Sequence, residues 1–310
     1  MQTTPNLIMI RPASFGYNPE TAQNNFYQKE DSRPQDEIRQ LARQEFDGFV
    51  AMLQDQGVKV LVVEDSVLPM KTDAVFPNNW FSTHADGKVI LYPMFSPNRR
   101  LERRKEIFES LMKQGFRINE IIDLSFFEES GQFLEGTGSM VMDHDKKIIY
   151  ACYSERTHPV PLDYVGQLLK YKVIGFEAAQ VVDGEVSPIY HTNVMMHIGT
   201  DIAVVCLDSI VKASERKKVQ ESLINSGKKV IPITPKQKFN FAGNMLEVSN
   251  EGGEKFTVMS QTAYDSLTIG QIQSIEKYTT LINPSLPTIE KLGGGSARCM
   301  MAENFLPFGK

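Results

Sequence analysis

Five residues able to do chemistry recur along the chain at nearly constant spacing. Asn79, Glu135, His191, Asn244 and Cys299 are separated by 56, 56, 53 and 55 residues. A cysteine beside a histidine supplies a thiolate nucleophile and a proton shuttle. A carboxylate near both can accept two parallel N–H bonds from a planar N–C–N group and stabilise positive charge that develops on carbon substitution. Asparagine also serves turns, which accounts for Asn79 and Asn244 equally well. Turn chemistry does not account for Glu135, His191 or Cys299. Cys299 ends the run Gly293-Gly294-Gly295-Ser296-Ala297-Arg298. Three glycines let the backbone turn sharply and approach a ligand closely, and Arg298 is placed to help hold a thiolate.

The elements that must position these residues repeat with them. Each residue leads into two apolar runs joined by a tight turn: Asn79 to Tyr92 around Asp86-Gly87, and Gly136 to Cys152 around His144–Lys147. The pattern recurs from Thr192 to Cys206 around Gly199–Asp201, and from Asn244 to Met259 around Glu251–Gly253. Asp-Gly between alternating apolar runs is a good hairpin signal. Helical spacing follows in Gln35–Gln56, Pro97–Gly115, Ser214–Ser226 and Ile269–Thr279. Short strands are expected after them at Val58–Val63, Arg117–Asn119, Lys229–Ile233 and Thr279–Asn283. The unit is hairpin, helix, strand, and about five units fill the chain at a period near 55 residues. The spacing predicts an α/β fold of repeated units in a pseudo-symmetric ring, whose equivalent positions face one axis. Leu7–Pro12 reads as a strand that pairs with the segment after Cys299 and closes that ring. Residues 14–34, with Asn18, Asn24 and Asn25, are polar and aperiodic, as in a loop over a site.

Other reactive side chains sort by context. Cys152 and Cys206 sit inside apolar runs as small buried hydrophobes. His84 and His144 lie near hairpin turns and read as solvated, and His197 reads as core. No His/Cys spacing resembles a zinc site, so no metal is expected. Asp73 offers a second carboxylate just before Asn79, with a turn cap as an equal account. Arg156, in Ser154-Glu155-Arg156-Thr157, is placed to meet a substrate carboxylate bidentately.

Composition bounds the rest. The 310 residues carry 33 Lys and Arg against 38 Asp and Glu, a net charge of -5 that argues against a nucleic-acid partner. No apolar run approaches membrane-spanning length. The start shows no secretory pattern. Three cysteines argue against a disulfide framework and point to a reducing cytoplasm.

Four motifs in order, Leu-Glu-Gly-x-Gly, Ser-Glu-Arg-Thr, His191 leading into a strand, and Gly-Gly-Gly-Ser-x-Arg-Cys-Met, resemble the guanidino-group-modifying enzymes. With Asp73, they span residues 73–300. Phe76-Pro77-Asn78-Asn79-Trp80 and His84-Ala85-Asp86-Gly87 are most similar to the bacterial citrulline-utilization hydrolase branch. The resemblance implies a five-bladed α/β propeller, the pentein fold, as a single catalytic domain over residues 1–310. It implies a cofactor-independent hydrolase in which Cys299 attacks a guanidinium or ureido carbon. Glu135 holds the nitrogens, and His191 protonates the leaving amine and then activates water. The partner is a small amino-acid substrate, and a homo-oligomer is compatible with the chain. The family's deiminases and dimethylarginine hydrolases usually carry aspartate where this chain has Asn79, and the deiminases again two residues after the histidine, where it has Asn193. Amides in place of carboxylates favour a neutral ureido group over a cation. The expected substrate is therefore citrulline, yielding ornithine, ammonia and carbon dioxide. The alternatives are arginine deiminase, dimethylargininase or amidinotransferase activity and, outside enzymes, a non-catalytic pentein binding protein.

Overall fold

In the computed structural model, which describes residues 1–309, five three-stranded sheets share one connectivity: an antiparallel pair, then a third strand parallel to the second. Phe81–Thr83 pairs antiparallel with Lys88–Leu91, which runs parallel to Glu120–Asp123. Val141–Asp143, Ile148–Cys152 and Lys172–Phe176 repeat the arrangement. So do Met196–Ile198, Ile202–Val205 and Lys229–Pro232, and Leu246–Ser249, Lys255–Val258 and Thr280–Ile282. The fifth sheet joins distant parts of the chain. Ala302–Glu303 pairs antiparallel with Asn6–Arg11, which runs parallel to Lys59–Glu64. The expected pairing after Cys299 is thus present, with Leu7 opposite Glu303. Among the described residues the sheets are separate, and none closes on itself.

A parallel step needs a crossover, and a helix supplies it in each unit. Gln35–Asp55 buries Ile38, Ala42, Phe46, Phe49, Val50 and Leu53 along one face, the apolar stripe its spacing encodes. That face packs against Leu7, Met9, Val75 and Ile289. Lys105–Lys113, Pro159–Leu169 and Ala213–Asn225 play the same part. In the fourth unit Gln261–Ser266 and Ile269–Glu276 share it. Among the described residues no helix is long and apolar enough to cross a membrane.

The structure departs from the sequence reading at several points. The pattern over Pro97–Gly115 splits into a 3-10 helix, Pro97–Glu102, and the α-helix Lys105–Lys113. Arg99, Arg100 and Arg103 there bond to Glu102, Glu128 and carbonyls of residues 92–95, and these side-chain bonds override the apolar periodicity. The strand expected at Arg117–Asn119 begins at Glu120, because Arg117 N donates to Pro307 O and Asn119 N to Gly87 O. Helix Pro159–Leu169, strand Lys172–Phe176 and the hairpin Ala179–Val182 with Glu185–Pro188 were not anticipated. Pro159, Pro161 and Gly166 disguise that helix, although prolines are tolerated in a first turn. Segment 14–34 contains one helical turn, Pro19–Ala22.

The residues leading into the hairpins are short helical turns rather than strand: Pro77–Asn79, Gly136–Ser139, Thr192–Val194 and Ala297–Met300. They pack on one another backbone to backbone. A Cβ on Gly136, which has φ of 45°, would lie 2.4 Å from the Asn78 carbonyl oxygen. One on Gly243 would lie 2.5 Å from Val194 O. Only glycine allows so close an approach.

His84 is not solvated as expected, and His144 is half-buried. His84 is buried with Nε2 on Ser82 Oγ, and His144 meets the Tyr171 hydroxyl and packs on Phe305. His197 is core, as read. Burial, with nearby Arg298, pushes His197 down to about 3. Burial likewise lowers His84 to about 3 and His144 to about 4. An unfolded histidine titrates near 6.5, so below that pH the unfolded chain takes up protons that the folded chain refuses. Stability from each such histidine is complete above that pH and is lost as pH falls toward the folded value. Replacing His197→Gln removes one such proton. The slope of unfolding free energy between pH 6 and 4.5, from urea titrations, is expected to become shallower by about 1.4 kcal/mol per pH unit. Parallel slopes in the two proteins would show that His197 does not titrate in this way.

Candidate active site

Cys299 is seated in the turn Ala297–Met300 with its sulfur almost wholly buried. Asn193 Nδ2 donates to Sγ at 3.4 Å and Asn244 Nδ2 at 3.3 Å. Asn244 is itself fixed, since its Oδ1 accepts from Arg298 N at 3.0 Å and its Nδ2 also reaches Asn193 O at 3.2 Å. Two amide N–H groups converging on a sulfur are suited to solvating an anion. Arg298 does not share that task. Its guanidinium turns away to Glu303 Oε2 and Met301 O, both at 2.9 Å, because neighbouring positions of a helical turn point in different directions.

Glu135 is fully buried, and its carboxylate is already engaged. Oε1 accepts from Phe95 N at 3.0 Å. Oε2 accepts from His191 Nε2 at 2.8 Å and faces Arg156 Nη1 at 3.4 Å. Burial opposes its charge, but Arg156 and the His191 bond outweigh burial and hold the carboxyl well below the usual range. Burial also pushes His191 down to about 4, against the Glu135 bond that raises it. The ring is therefore neutral near pH 7. An ionised carboxylate only accepts, so Nε2 carries the ring proton and Nδ1 is the basic nitrogen. Both oxygens of Glu135 thus accept from protein donors, and the carboxylate orients the imidazole.

One cavity, with about 270 Å³ of atom-free space, is lined by Asp73, Asn79, Arg156, His191 and Cys299 beneath Phe76 and Tyr190. Asn193 and Asn244 reach it through the sulfur, and Glu135 stands behind His191. All eight residues singled out from the sequence therefore belong to one neighbourhood. Asp73 Oδ2 accepts from Asn18 Nδ2 at 2.8 Å and Thr21 Oγ1 at 3.2 Å, while its Oδ1 is buried without a partner. Burial raises the Asp73 carboxyl, with Arg99 opposing. Arg156 donates from Nε to Asn24 Oδ1 at 2.9 Å and from Nη2 to Thr21 O at 2.9 Å. Segment 14–34 thus covers the cavity, and Asn25 and Gln28 bond to the carbonyls of Leu292, Gly293 and Gly294.

Two residues escaped the sequence reading. Arg99 and Glu102 are buried beside Asn79, with Arg99 Nη1 donating to Asn79 Oδ1 at 2.7 Å. They lie in the run Arg99-Arg100-Leu101-Glu102-Arg103-Arg104, which reads as a charged surface, and nothing in its spacing sets them apart. A larger groove, about 1060 Å³, lies on the outside beside Lys59–Val62 and Phe308, and its ionic groups, Lys59 and Glu251, pair with each other. Among the described residues no group of three or more His, Cys, Asp or Glu is placed to hold a metal ion.

Residues 11–306 match the family model described as N,N dimethylarginine dimethylhydrolase, eukaryotic. No curated protein matches in sequence. Solved structures that share the fold include apo ArgZ, an arginine dihydrolase from the ornithine-ammonia cycle in cyanobacteria, at TM-score 0.71 and 15% identity. That similarity covers 98% of this chain and 41% of ArgZ, so the chain spans well under half of that relative. A mutant of AgrE in complex with L-arginine gives TM-score 0.70 at 16% identity, over 96% of this chain and 40% of that one. A dimethylarginine dimethylaminohydrolase mutant carrying an S-methyl-L-thiocitrulline adduct gives TM-score 0.63 at 14% identity, over 98% and 100% of the two chains. The family match extends over nearly the whole chain. The chain belongs to the N,N-dimethylarginine dimethylhydrolase family, one of the guanidino-group-modifying enzymes.

Proposed function

We propose that the protein is a cysteine-dependent hydrolase of the ureido group of citrulline, releasing ornithine, ammonia and carbon dioxide. The observation that carries this reading is the set of amides around the thiol. Asn193 and Asn244 donate to Cys299 Sγ, and Asn79 Nδ2 is buried in the same cavity without a partner. A buried donor with nothing to donate to costs about 1–3 kcal/mol. A ureido oxygen would satisfy it, whereas a guanidinium offers only further N–H groups. In the same cavity the unpartnered Asp73 Oδ1 suits an α-ammonium, and Arg156, held by Asn24, Thr21 and Glu135, suits an α-carboxylate. The five equivalent sheets are read as blades of one ring in a single domain, residues 1–310, which brings these positions to a common axis.

The steps follow from the side chains. Cys299 gives its proton to neutral His191, and the thiolate bonds to the ureido carbon. His191 then delivers that proton to the departing –NH2, which leaves as ammonia and leaves a thiocarbamate on sulfur. Water loses a proton to His191 and adds to the thiocarbamate carbon, and the C–S bond breaks. His191 returns the proton to Cys299, and the released carbamate loses carbon dioxide to give ornithine. Glu135 keeps Nδ1 as the working base throughout. No cofactor takes part in this scheme.

Relatives named arginine dihydrolase make arginine the competitor to test. With citrulline, arginine and methylarginines as substrates, ornithine and ammonia are expected from citrulline at the highest kcat/KM. Cys299→Ala is expected to abolish the reaction, and turnover equal to wild type would dismiss the cysteine mechanism. Asn79→Asp turns the free donor into an acceptor. It should lower the citrulline-to-arginine ratio of kcat/KM about tenfold or more. An unchanged ratio would contradict the role given to the amide.

A further inference from the structure

We infer that Glu102, acting through Arg99, sets the direction of the Asn79 amide and so makes the site select an acceptor-bearing ureido group over a guanidinium. The inference rests on the ureido reading above and identifies what enforces it. An asparagine side chain can present either its oxygen or its NH2 by a half-turn, so an amide alone does not discriminate. Here the half-turn is blocked. Arg99 Nη1 lies 2.7 Å from the Asn79 side chain, and a guanidinium only donates, so the atom facing it is Oδ1. Nδ2 is thereby directed to the other side, where it is buried and unpartnered. It lies close to the His191 ring. A Cβ on Gly138 would fall 2.5 Å from Asn79 Nδ2 and 2.8 Å from His191 Cε1, and the missing side chain leaves room for both.

Arg99 can hold this position only because it is itself clamped. Its Nε and Nη2 donate to Glu102 Oε1 and Oε2, both at 2.9 Å, in a bidentate pair. Nη2 also reaches Phe76 O at 3.2 Å, which ties the guanidinium to the loop that carries Asn79. Asp73 Oδ2 stands 3.8 Å from Arg99 Nε and offers a second carboxylate to which a freed guanidinium would turn. Glu102 is buried and does not line the cavity, so it is a positioning residue, with any effect on substrate passed through Arg99 and Asn79.

The test compares wild type with Glu102→Gln and Arg99→Lys. Each breaks the two-point pair, the first by removing the carboxylate and the second by removing the planar donor pair. For each protein kcat/KM is measured for citrulline and for arginine, and where arginine is not turned over its inhibition constant against citrulline is used. Both variants are expected to lower the citrulline-to-arginine ratio by about 10- to 100-fold, the penalty for presenting a group of the wrong polarity. The rate of Cys299 alkylation by iodoacetamide, followed by peptide mass spectrometry, should stay at the wild-type value. A merely structural loss lowers both substrates equally and slows alkylation, and that result would overturn the inference. An unchanged ratio would overturn it as well. Should Glu102→Gln prove unfolded by circular dichroism, Glu102→Asp keeps the charge while shortening the arm, and its ratio is expected to fall in the same direction. A wild-type protein that leaves citrulline untouched would sink the ureido reading itself, and this inference with it. Citrulline turnover with an unchanged ratio sinks the inference alone.

Discussion

A carboxylate cut off from water must receive its counter-charges and donors from the fold, and Glu135 is such a group. Its partners arrive from three separate parts of the chain. Phe95 N comes from the segment after the first hairpin, Arg156 from the end of the second, and His191 from the start of the third. The carboxylate is satisfied only when those units are correctly placed. Removing one partner of a buried pair typically costs about 3–5 kcal/mol, because a charge is then left bare. The same requirement fixes the tautomer of His191. A constraint of stability is therefore also a constraint on chemistry.

Charge is distributed unevenly around the cavity. Asp73, Glu102 and Glu135 face Arg99 and Arg156 on one side, all of them buried. Burial holds Glu102 up near 7 even with Arg99 against it. Around the sulfur, by contrast, the near groups are amides.

The repeat was legible because each unit carries its own short-range signals. Asp86-Gly87 marks a turn, alternation marks strands, and Ile38 to Leu53 mark a helix face. Aligning those signals brought Asn79, Glu135, His191, Asn244 and Cys299 into register, and the structure gathers them around one cavity. What stayed hidden depends on contacts that local pattern does not encode. Arg99 and Glu102 look like any other members of a charged run until the chain folds over them. His84 and His144 sit at turns, which are usually exposed, yet Ser82, Tyr171 and Phe305 enclose them. The partners of Glu135 are distant in sequence, so its bonds to Phe95, Arg156 and His191 could not be read from its type. Pro159, Pro161 and Gly166 concealed a helix that is stabilised by the sheet it packs on.

The sheet that unites the first and last strands has a bearing on how the protein is made. Thr4 Oγ1 donates to Asn304 O across 300 positions of sequence, among the most distant contacts in the molecule. Non-local pairings of this kind form late, after nearer ones have restricted the chain. The turn bearing Cys299 lies directly before Ala302–Glu303, so the sheet that joins these distant segments also anchors the nucleophile's turn. During synthesis on the ribosome the four earlier sheets can assemble while the nucleophile is still to emerge.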